Sequence, residues 1–398
     1  MIPVDEALAR TLALAPAPIP EEVLLAEANG RVLLAPVAAR LTQPPFDAAS
    51  MDGYALRSAD LPGPLTVVGE AAAGREWDGE IAPGQAVRIF TGAPVPDGCD
   101  RVVMQENVTR EGERIAVTDA SGGSNIRPRG NDFSEGSVID AGRRLGPAEL
   151  ALIAAMNVPR VTVARRPVVA ILPGGDELVP PGTNPGAGQI INSNDIAIAA
   201  IAAAAGALPR ILPITRDTAE SLRAGLEAAA DADIIVTIGG ASVGDHDLIA
   251  PVTEAMGMER AFWKLAMRPG KPLVVGRLGN ALMLGLPGNP ISAMVSALLF
   301  LRPLIERMQG LPGTQRLHHA TLGCDLPPEG PRQHYLRARL NEGAAGDRGL
   351  PVITPDDNQD SASLSVMAAA GALLVRPAHD PARRAGEVMD YLSLRDWT

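Results

Sequence analysis

Residues 166–309 constrain the fold of this chain more than any other stretch. Two largely apolar runs, Val168–Leu172 and Asp233–Ile238, predict buried strands, and a glycine pair closely follows each of them. Helical patterns at Asn194–Ala205 and Thr218–Ala230 lie between the two runs. Apolar strands that alternate with helices are typical of a parallel sheet covered by helices on both faces. We therefore predict a three-layer α/β domain with a parallel-rich sheet.

Further elements of this domain follow from the same pattern. Arg210–Ile214, Leu273–Val275 and Ala281–Leu284 predict strands. A helix is predicted near Leu248–Met256, and a long helix over Ile291–Met308 closes the segment.

The rest of the chain has a different pattern. A chain of 398 residues is too long for one ordinary core, so several domains are expected. Short apolar runs separated by Gly, Pro and Asp predict an inserted mainly-β domain over 44–136. The flanking pieces, 1–43 and 137–165, are predicted to form one small discontinuous helical and extended linker domain. After 166–309, short alternating runs predict a C-terminal β domain over 310–398.

Composition excludes some classes of function. The formal net charge of −11 argues against binding to nucleic acid or to an anionic membrane surface. Cys99 and Cys324 lie far apart and match no metal-site spacing, which favours two reduced thiols in a cytoplasmic protein. The first residues show no signal-peptide pattern, and the apolar runs are too short to predict a membrane span.

The positive charges have an unusual distribution. The chain has only two lysines, Lys264 and Lys271, and both lie in one short Gly/Pro-containing segment with Arg268 between them. Lysine is a compact, strongly hydrated cation suited to phosphate or oxyanion contact. This favours an anion site, and the alternative is a solvated loop with chance residues.

Four loops are predicted at the carboxyl edge of the parallel sheet, where ligands bind in open α/β folds. They carry Asp176-Glu177, Arg216-Asp217, the run 239–247, and the run 285–290 before the long helix. Carboxylates beside an anion pocket indicate Mg²⁺, which prefers oxygen ligands and phosphates. The alternative for Asp176 and Glu177 is helix capping or a solvated turn, and His246 in the third loop is expected at the surface.

Three motifs stand out in the inserted β segment: 50–55, 90–96 and 125–132. They place Asp, Tyr, Thr and Arg side chains in loops that Gly and Pro constrain. Turn chemistry alone is a sufficient alternative explanation for all three.

Taken together, these segments resemble the molybdopterin molybdenumtransferase family, which includes the C-terminal domain of gephyrin. The resemblance covers essentially the whole chain. The matching motifs are Met51-Asp52-Gly53-Tyr54-Ala55, Thr91-Gly92-Ala93-Pro94, Asn125-Ile126-Arg127 with Gly130 and Asp132, Gly175-Asp176-Glu177-Leu178, Gly239-Gly240-Ala241-Ser242-Val243-Gly244 with Asp247, Pro269-Gly270-Lys271-Pro272, and Leu286-Pro287-Gly288-Asn289-Pro290.

The resemblance implies insertion of molybdate into adenylylated molybdopterin, with Mg²⁺-dependent release of AMP. It also implies a molybdopterin-binding type of α/β domain and a homodimer whose active site is shared between subunits. The discontinuous domain, 1–43 with 137–165, would then be the dimerisation domain. Transient contacts with the molybdopterin adenylyltransferase and with molybdoenzymes are further expectations.

The resemblance also assigns residues. Those expected to be catalytic are Glu177, Asp247, Asp52 and Lys271, with Glu177 and Asp247 as Mg²⁺ ligands. Those expected to bind substrate are Thr91, Asp132, Asp217, Lys264, Arg268, Gly239, Gly240, Ser242, Pro287, Gly288, Asn289 and Pro290. Two departures stand out, because Lys is common in the family at Arg268 and Gly174 replaces the usual Thr before Gly-Asp-Glu.

Two other functions stay open at this point. An adenylyltransferase that loads AMP onto molybdopterin uses the same α/β fold, although it does not need the flanking β domains. A non-catalytic pterin-binding scaffold would keep the pocket without the chemistry.

Overall fold

The computed structural model describes residues 1–240, 248–341, 343 and 349–395. The chain forms two compact units: Met1–Glu21 with Ala164–Thr398, and Glu22–Val163. The first unit holds the α/β sheet and the C-terminal strands, and the second holds the mainly-β segment. The predicted fold class, α/β plus β in several domains, is confirmed, whereas the four predicted domain boundaries stay a prediction.

The α/β sheet has six strands, which we number in chain order. They are β1 (Val168–Pro173), β2 (Leu208–Ile211), β3 (Ile234–Ile238), β4 (Glu259–Trp263), β5 (Val274–Leu278) and β6 (Ala281–Leu286). The spatial order is β2-β1-β3-β6-β5-β4. Neighbours among the first four are parallel, whereas β5 is antiparallel to both β6 and β4. A two-residue turn, Gly279-Asn280, joins β5 to β6, and Gly279 supplies the positive φ of 59° that such hairpins need.

Both faces of the sheet are buried, as the apolar runs predict. Val169 and Ile171 pack with the helix Asn194–Ala204 and the long C-terminal helix of this domain. Ala170 and Leu172 point to the other face and pack with Leu222 and Leu226 of the helix Ala219–Ala228. The α-helices of the described residues are Val4–Ala13, Pro147–Ala155, Asn194–Ala204, Ala219–Ala228, Ile249–Ala255, Pro290–Ser296, Arg302–Met308 and Leu364–Ala369.

The long helix predicted over Ile291–Met308 is not a regular α-helix throughout. A π-helical turn, Ala297–Leu301, separates its two α-helical parts. Pro303 has no N–H to donate to the carbonyl of Leu299 four residues earlier. The Gln315 side-chain amide donates to that carbonyl instead, at 2.9 Å.

The C-terminal strands form a closed sheet. Gln333–Asn341 pairs with Val352–Pro355 on one side and with Ala372–Arg376 on the other, and His318–Leu322 and Val388–Ser393 complete the circle. The short strand Met267–Arg268 lies in the segment that contains both lysines, residues 263–272, which we call the lysine segment. This strand pairs in parallel with Gln333 and His334. The lysine segment therefore contains a short strand and not only a turn.

The second unit contains a six-stranded sheet. Its order is Arg101–Met104, Gly53–Leu56, Gln85–Ile89, Leu65–Ala71, Arg114–Val117 and Val108–Glu111. The other strands of the described chain are Pro20–Leu24, Val37–Ala38, Ala48–Ala49, Ile126–Arg127, Val138–Ile139, Arg160–Ala164, Leu178–Val179 and Ile190–Ile191. No helix in the described ranges has both the length and the apolar character needed to cross a membrane.

Candidate active site

The carboxyl ends of β1, β3 and β6 lie side by side. Pro173 is paired with Ile238, and Ile238 with Leu286. The backbone bonding continues past the strands, because Gly174 N–H donates to the Ile238 carbonyl at 3.0 Å and Gly239 N–H to the Leu286 carbonyl at 3.1 Å. The predicted loops therefore start from one edge of the sheet.

Glycines allow these loops to touch backbone to backbone. Gly239 has a φ of 92°, and a Cβ there would lie 2.7 Å from the Gly174 carbonyl oxygen. A Cβ on Gly288 would lie 3.5 Å from the Gly239 Cα, which is ordinary contact. A side chain at position 239 would separate the loops, so glycine is required there for the close approach.

A cavity of about 820 Å³ opens at this edge. Its volume is in the range of small-molecule sites. The predicted site residues that line it are Glu177, Asp217, Gly239, Gly240, Pro287, Gly288, Asn289 and Pro290. The predicted convergence of the four strand-end loops is confirmed for the parts of those loops that the structure describes.

The three carboxylates of the loops after β1 and β2, of which Glu177 and Asp217 line the cavity, have different surroundings. Asp176 and Asp217 each face the other's backbone N–H at 3.4 Å, and an Arg216 nitrogen lies 4.0 Å from Asp176 Oδ1. These contacts stabilise a turn, so they agree with the alternative interpretation of Asp176 as a residue of a solvated turn. Glu177 is exposed, and no hydrogen bond or ion pair engages its carboxylate within the described part of the chain. It is available to a ligand.

The lysine segment lies at the same edge, but its three cations, Lys264, Arg268 and Lys271, do not line the cavity. Lys264 directly follows β4, and Pro272, next to Lys271, is a lining residue. Arg268 and Lys271 are exposed, and neither has an ion-pair partner among the described residues. Lys264 has no ion-pair partner in the described ranges either, so all three cations beside the cavity lack a carboxylate there.

Three loop motifs of the second unit come together, which their sequence patterns alone did not predict. Asp52 accepts hydrogen bonds from Thr91 N–H at 2.7 Å and Thr91 Oγ at 2.8 Å. These two bonds, with a nearby Arg88 charge, lower the pKa of Asp52 below its usual value. Ser50 N–H donates to the Asn125 carbonyl.

Asp132 lies further along the third motif. It is exposed, and its N–H donates to the Gln43 carbonyl at 3.1 Å.

Several cavity residues were missed by the sequence reasoning. Asn194 Nδ2 donates to the Gly288 carbonyl at 2.7 Å, which ties the start of one helix to the Pro287–Pro290 loop. A polar run at a helix start beside the sheet edge could have indicated it. Ala362 and Leu364 also line the cavity, and nothing local in the sequence indicates that.

Two predicted residues, Ser242 and Asp247, lie outside the described residues, as does His246. Among the residues that the structure describes, no group of three or more His, Cys, Asp or Glu side chains could hold a metal ion. Mg²⁺ commonly binds through one or two carboxylates together with phosphates and water. The unpaired Glu177 carboxylate fits that role.

The fold and the cavity define a multidomain α/β protein with a cavity of small-molecule size at the carboxyl edge of its sheet. Family models match three parts of the chain: the MoeA N-terminal region (domain I and II) at 2–157, a probable molybdopterin binding domain at 170–307, and the MoeA C-terminal region (domain IV) at 319–394.

Curated relatives and a solved structure agree with these matches. The chain is 40% identical to a molybdopterin molybdenumtransferase of Nostoc, covering 81% of this chain and 77% of the relative. It is 33% identical to one of Bacillus subtilis, covering 99% and 94%. A MoeA protein structure from Pyrococcus horikoshii matches with a TM-score of 0.80 at 29% identity, covering 99% of both chains. The chain belongs to the molybdopterin molybdenumtransferase family.

Proposed function

We propose that this chain inserts molybdate into adenylylated molybdopterin and releases AMP in a Mg²⁺-dependent reaction. As a family member, it is a transferase of molybdenum-cofactor biosynthesis. The observation that carries the finer proposal is the 820 Å³ cavity, because the family motifs that follow β1, β3 and β6 all line it.

In this proposal, the basic and the acidic residues of the sheet edge have different roles. Lys264, Arg268 and Lys271 hold the oxygens of molybdate and phosphate, drawing anions to a chain of net charge −11. The backbone N–H groups of Gly240, Gly288 and Asn289 orient the same ligand, with Ser242 in the same motif as Gly240. Molybdate supplies the attacking oxygen, so the reaction needs no Ser or Cys nucleophile.

The acidic residues bind the metal ion and the substrate. Glu177 and Asp247 hold Mg²⁺, which neutralises phosphate charge when it is bound. Asp217 lines the same cavity and contacts the substrate.

We further propose a homodimer in which Asp52, Thr91 and Asp132 of one subunit complete the cavity of the other. The hydrogen bonds from Thr91 support this role, because they fix Asp52 in its charged form. The protein acts in the cytoplasm, passing its product to molybdoenzymes and taking its substrate from the adenylyltransferase through transient contacts.

Single-turnover AMP release from adenylylated molybdopterin tests the function. We expect release that requires Mg²⁺ and is stimulated by molybdate. Consumption of ATP without any need for molybdate would instead favour an adenylyltransferase. Tight pterin binding without AMP release would favour a scaffold.

A further inference from the structure

We propose that Trp263 is a positioning residue that holds the Lys264 ammonium group ready for an anionic ligand. This inference rests on the proposed function, in which Lys264 contacts an oxyanion. The observations that carry it are the backbone conformation of Lys264, the indole beneath its side chain, and the absence of a carboxylate partner in the described residues.

The location of Trp263 follows from the sheet. Trp263 is the last residue of β4 and pairs with Val274, which pairs with Gly285 near the end of β6. Because β5 is antiparallel to both of its neighbours, the ends of β4 and β6 lie at the same edge. Lys264 therefore leaves the sheet at the edge where the cavity opens.

The backbone of Lys264 is held in an unusual conformation. Its φ is 69°, in the left-handed region that non-glycine residues rarely adopt. Its carbonyl accepts a hydrogen bond from Ile2 N–H at 3.4 Å, and the next residue, Leu265, donates to the Lys271 carbonyl at 2.9 Å. Such conformations persist where the surroundings fix them, and they cluster at functional sites.

The side chain of Lys264 lies on an aromatic ring and not on a carboxylate. Its Nζ is 4.2 Å from the centroid of the Trp263 ring. A tryptophan face is the strongest of the aromatic cation partners. A carboxylate would neutralise the ammonium and compete with an incoming anion, whereas an indole face holds the cation and leaves its charge available.

The indole N–H of Trp263 makes no hydrogen bond within the part of the chain that the structure describes. Its Nε1 is buried and finds no acceptor among the described residues. A buried indole N–H normally has a partner. We therefore explain the tryptophan at this position by the contact of its ring face with Lys264 and not by a hydrogen bond from its indole nitrogen.

Arg260 provides an internal comparison. Its guanidinium lies 5.6 Å from the centroid of the same ring, but Glu254 pairs with it at 3.0 Å. Among the described residues, two cations thus contact this indole, and of the two only Lys264 has no carboxylate partner there. Arg260→Gln is therefore a matched control for changes around the ring.

The test is a double-mutant cycle on the full-length chain with molybdate alone as the probe, measured by equilibrium dialysis. We expect Lys264→Ala and Trp263→Leu each to raise the molybdate Kd about tenfold, and the double variant to raise it no further. Trp263→Phe should fall between Trp263→Leu and the unchanged chain, and Arg260→Gln should bind normally. Should Trp263→Leu fail to fold, the cycle is run with Trp263→Phe.

Different results would overturn different claims. Normal molybdate affinity in Trp263→Leu, or losses that multiply in the double variant, would refute the positioning role. Normal affinity in Lys264→Ala would refute it as well. An unchanged chain that binds molybdate but never releases AMP would refute the proposed reaction while leaving the expected result of the cycle intact.

Discussion

Charged side chains have opposite surroundings in two regions of the molecule. One region is the carboxyl edge of the α/β sheet, and the other is the group of loops around Asp52 in the second unit. Glu177, Arg268 and Lys271 have no ion-pair partners among the described residues. Asp52 is bonded twice by Thr91, and Arg88 donates to the Gly53 carbonyl at 3.0 Å. Unpaired charges contribute little to folding and are free to bind, whereas bonded charges stabilise local structure and have a fixed position. Substitutions in the two regions should therefore have different signatures.

Lys271→Ala should have the largest effect. Loss of the Lys271 ammonium group should reduce the rate of AMP release about 1,000-fold, since a charged donor aimed at a reacting oxyanion contributes a rate factor of that size. The melting temperature should stay within about 1 °C, because an exposed, unpaired side chain adds little to stability. Single-turnover kinetics and thermal unfolding measure the two quantities.

Lys271→Arg is the matched control for charge. It should recover part of the rate, because the charge stays while the geometry of the donor changes. Unchanged AMP release in Lys271→Ala would contradict both the assignment of Lys271 and the proposed reaction.

Glu177→Gln should reduce AMP release about 100-fold, because the variant keeps the shape of the side chain but loses a ligand charge. The loss should shrink as Mg²⁺ is raised, so a Mg²⁺ titration of the rate is the measurement. Asp176→Asn is the control, since Asp176 already has turn contacts, and its rate should change less than about threefold. Equal losses in both variants would remove the distinction between the two neighbours.

The sequence was informative where the signal is local. The apolar run of β1 and the glycine pairs after β1 and β3 predicted both the sheet and the edge where Glu177 lies. The strand β4 was missed because a bulge between Arg260 and Phe262 breaks the alternation of buried and exposed residues.

Contacts between segments that are far apart in sequence could not be predicted from local sequence patterns. Ala362 and Leu364 reach the cavity because the preceding segment is anchored far away in sequence. The Gln359 side chain bonds both the N–H and the carbonyl of Arg337, which is almost fully buried, and Ile291 N–H donates to the Ser361 carbonyl. No periodicity in the chain encodes that contact.

Gly174→Thr should affect stability more than chemistry. A Cβ at position 174 would lie 3.0 Å from Thr215 Oγ1, and that hydroxyl donates to the Pro173 carbonyl at 3.2 Å. We expect a loss of about 1–3 kcal/mol in the free energy of unfolding, which is typical of overpacking. Urea unfolding measures it, and adding Thr215→Ala should recover part of the loss. A variant as stable as the unchanged chain would show that Thr215 does not occupy the space for a side chain at position 174.

Thr91→Val should have the smallest effect. Thr91 lies in the second unit, where it donates two hydrogen bonds to Asp52. The variant loses the hydroxyl bond to Asp52 but keeps the backbone N–H bond, which is the larger cause of the lowered pKa. The pKa of Asp52 should therefore rise part of the way towards its ordinary value of 3.8 and stay below it. Carboxyl carbon NMR titration of the two proteins measures this shift.

The sign of the stability effect follows from linkage. Because the folded-state pKa of Asp52 is lowered, its contribution to stability is complete above the unfolded-state pKa and is lost as the pH falls through the folded-state pKa. The unchanged chain should thus be more stable than Thr91→Val at neutral pH, and the difference should shrink under acid conditions below the ordinary pKa. A difference that grows with acidity would mean that Thr91 stabilises the protonated carboxyl. Asp52 would then no longer be a fixed charge, and its contrast with Glu177 would fail.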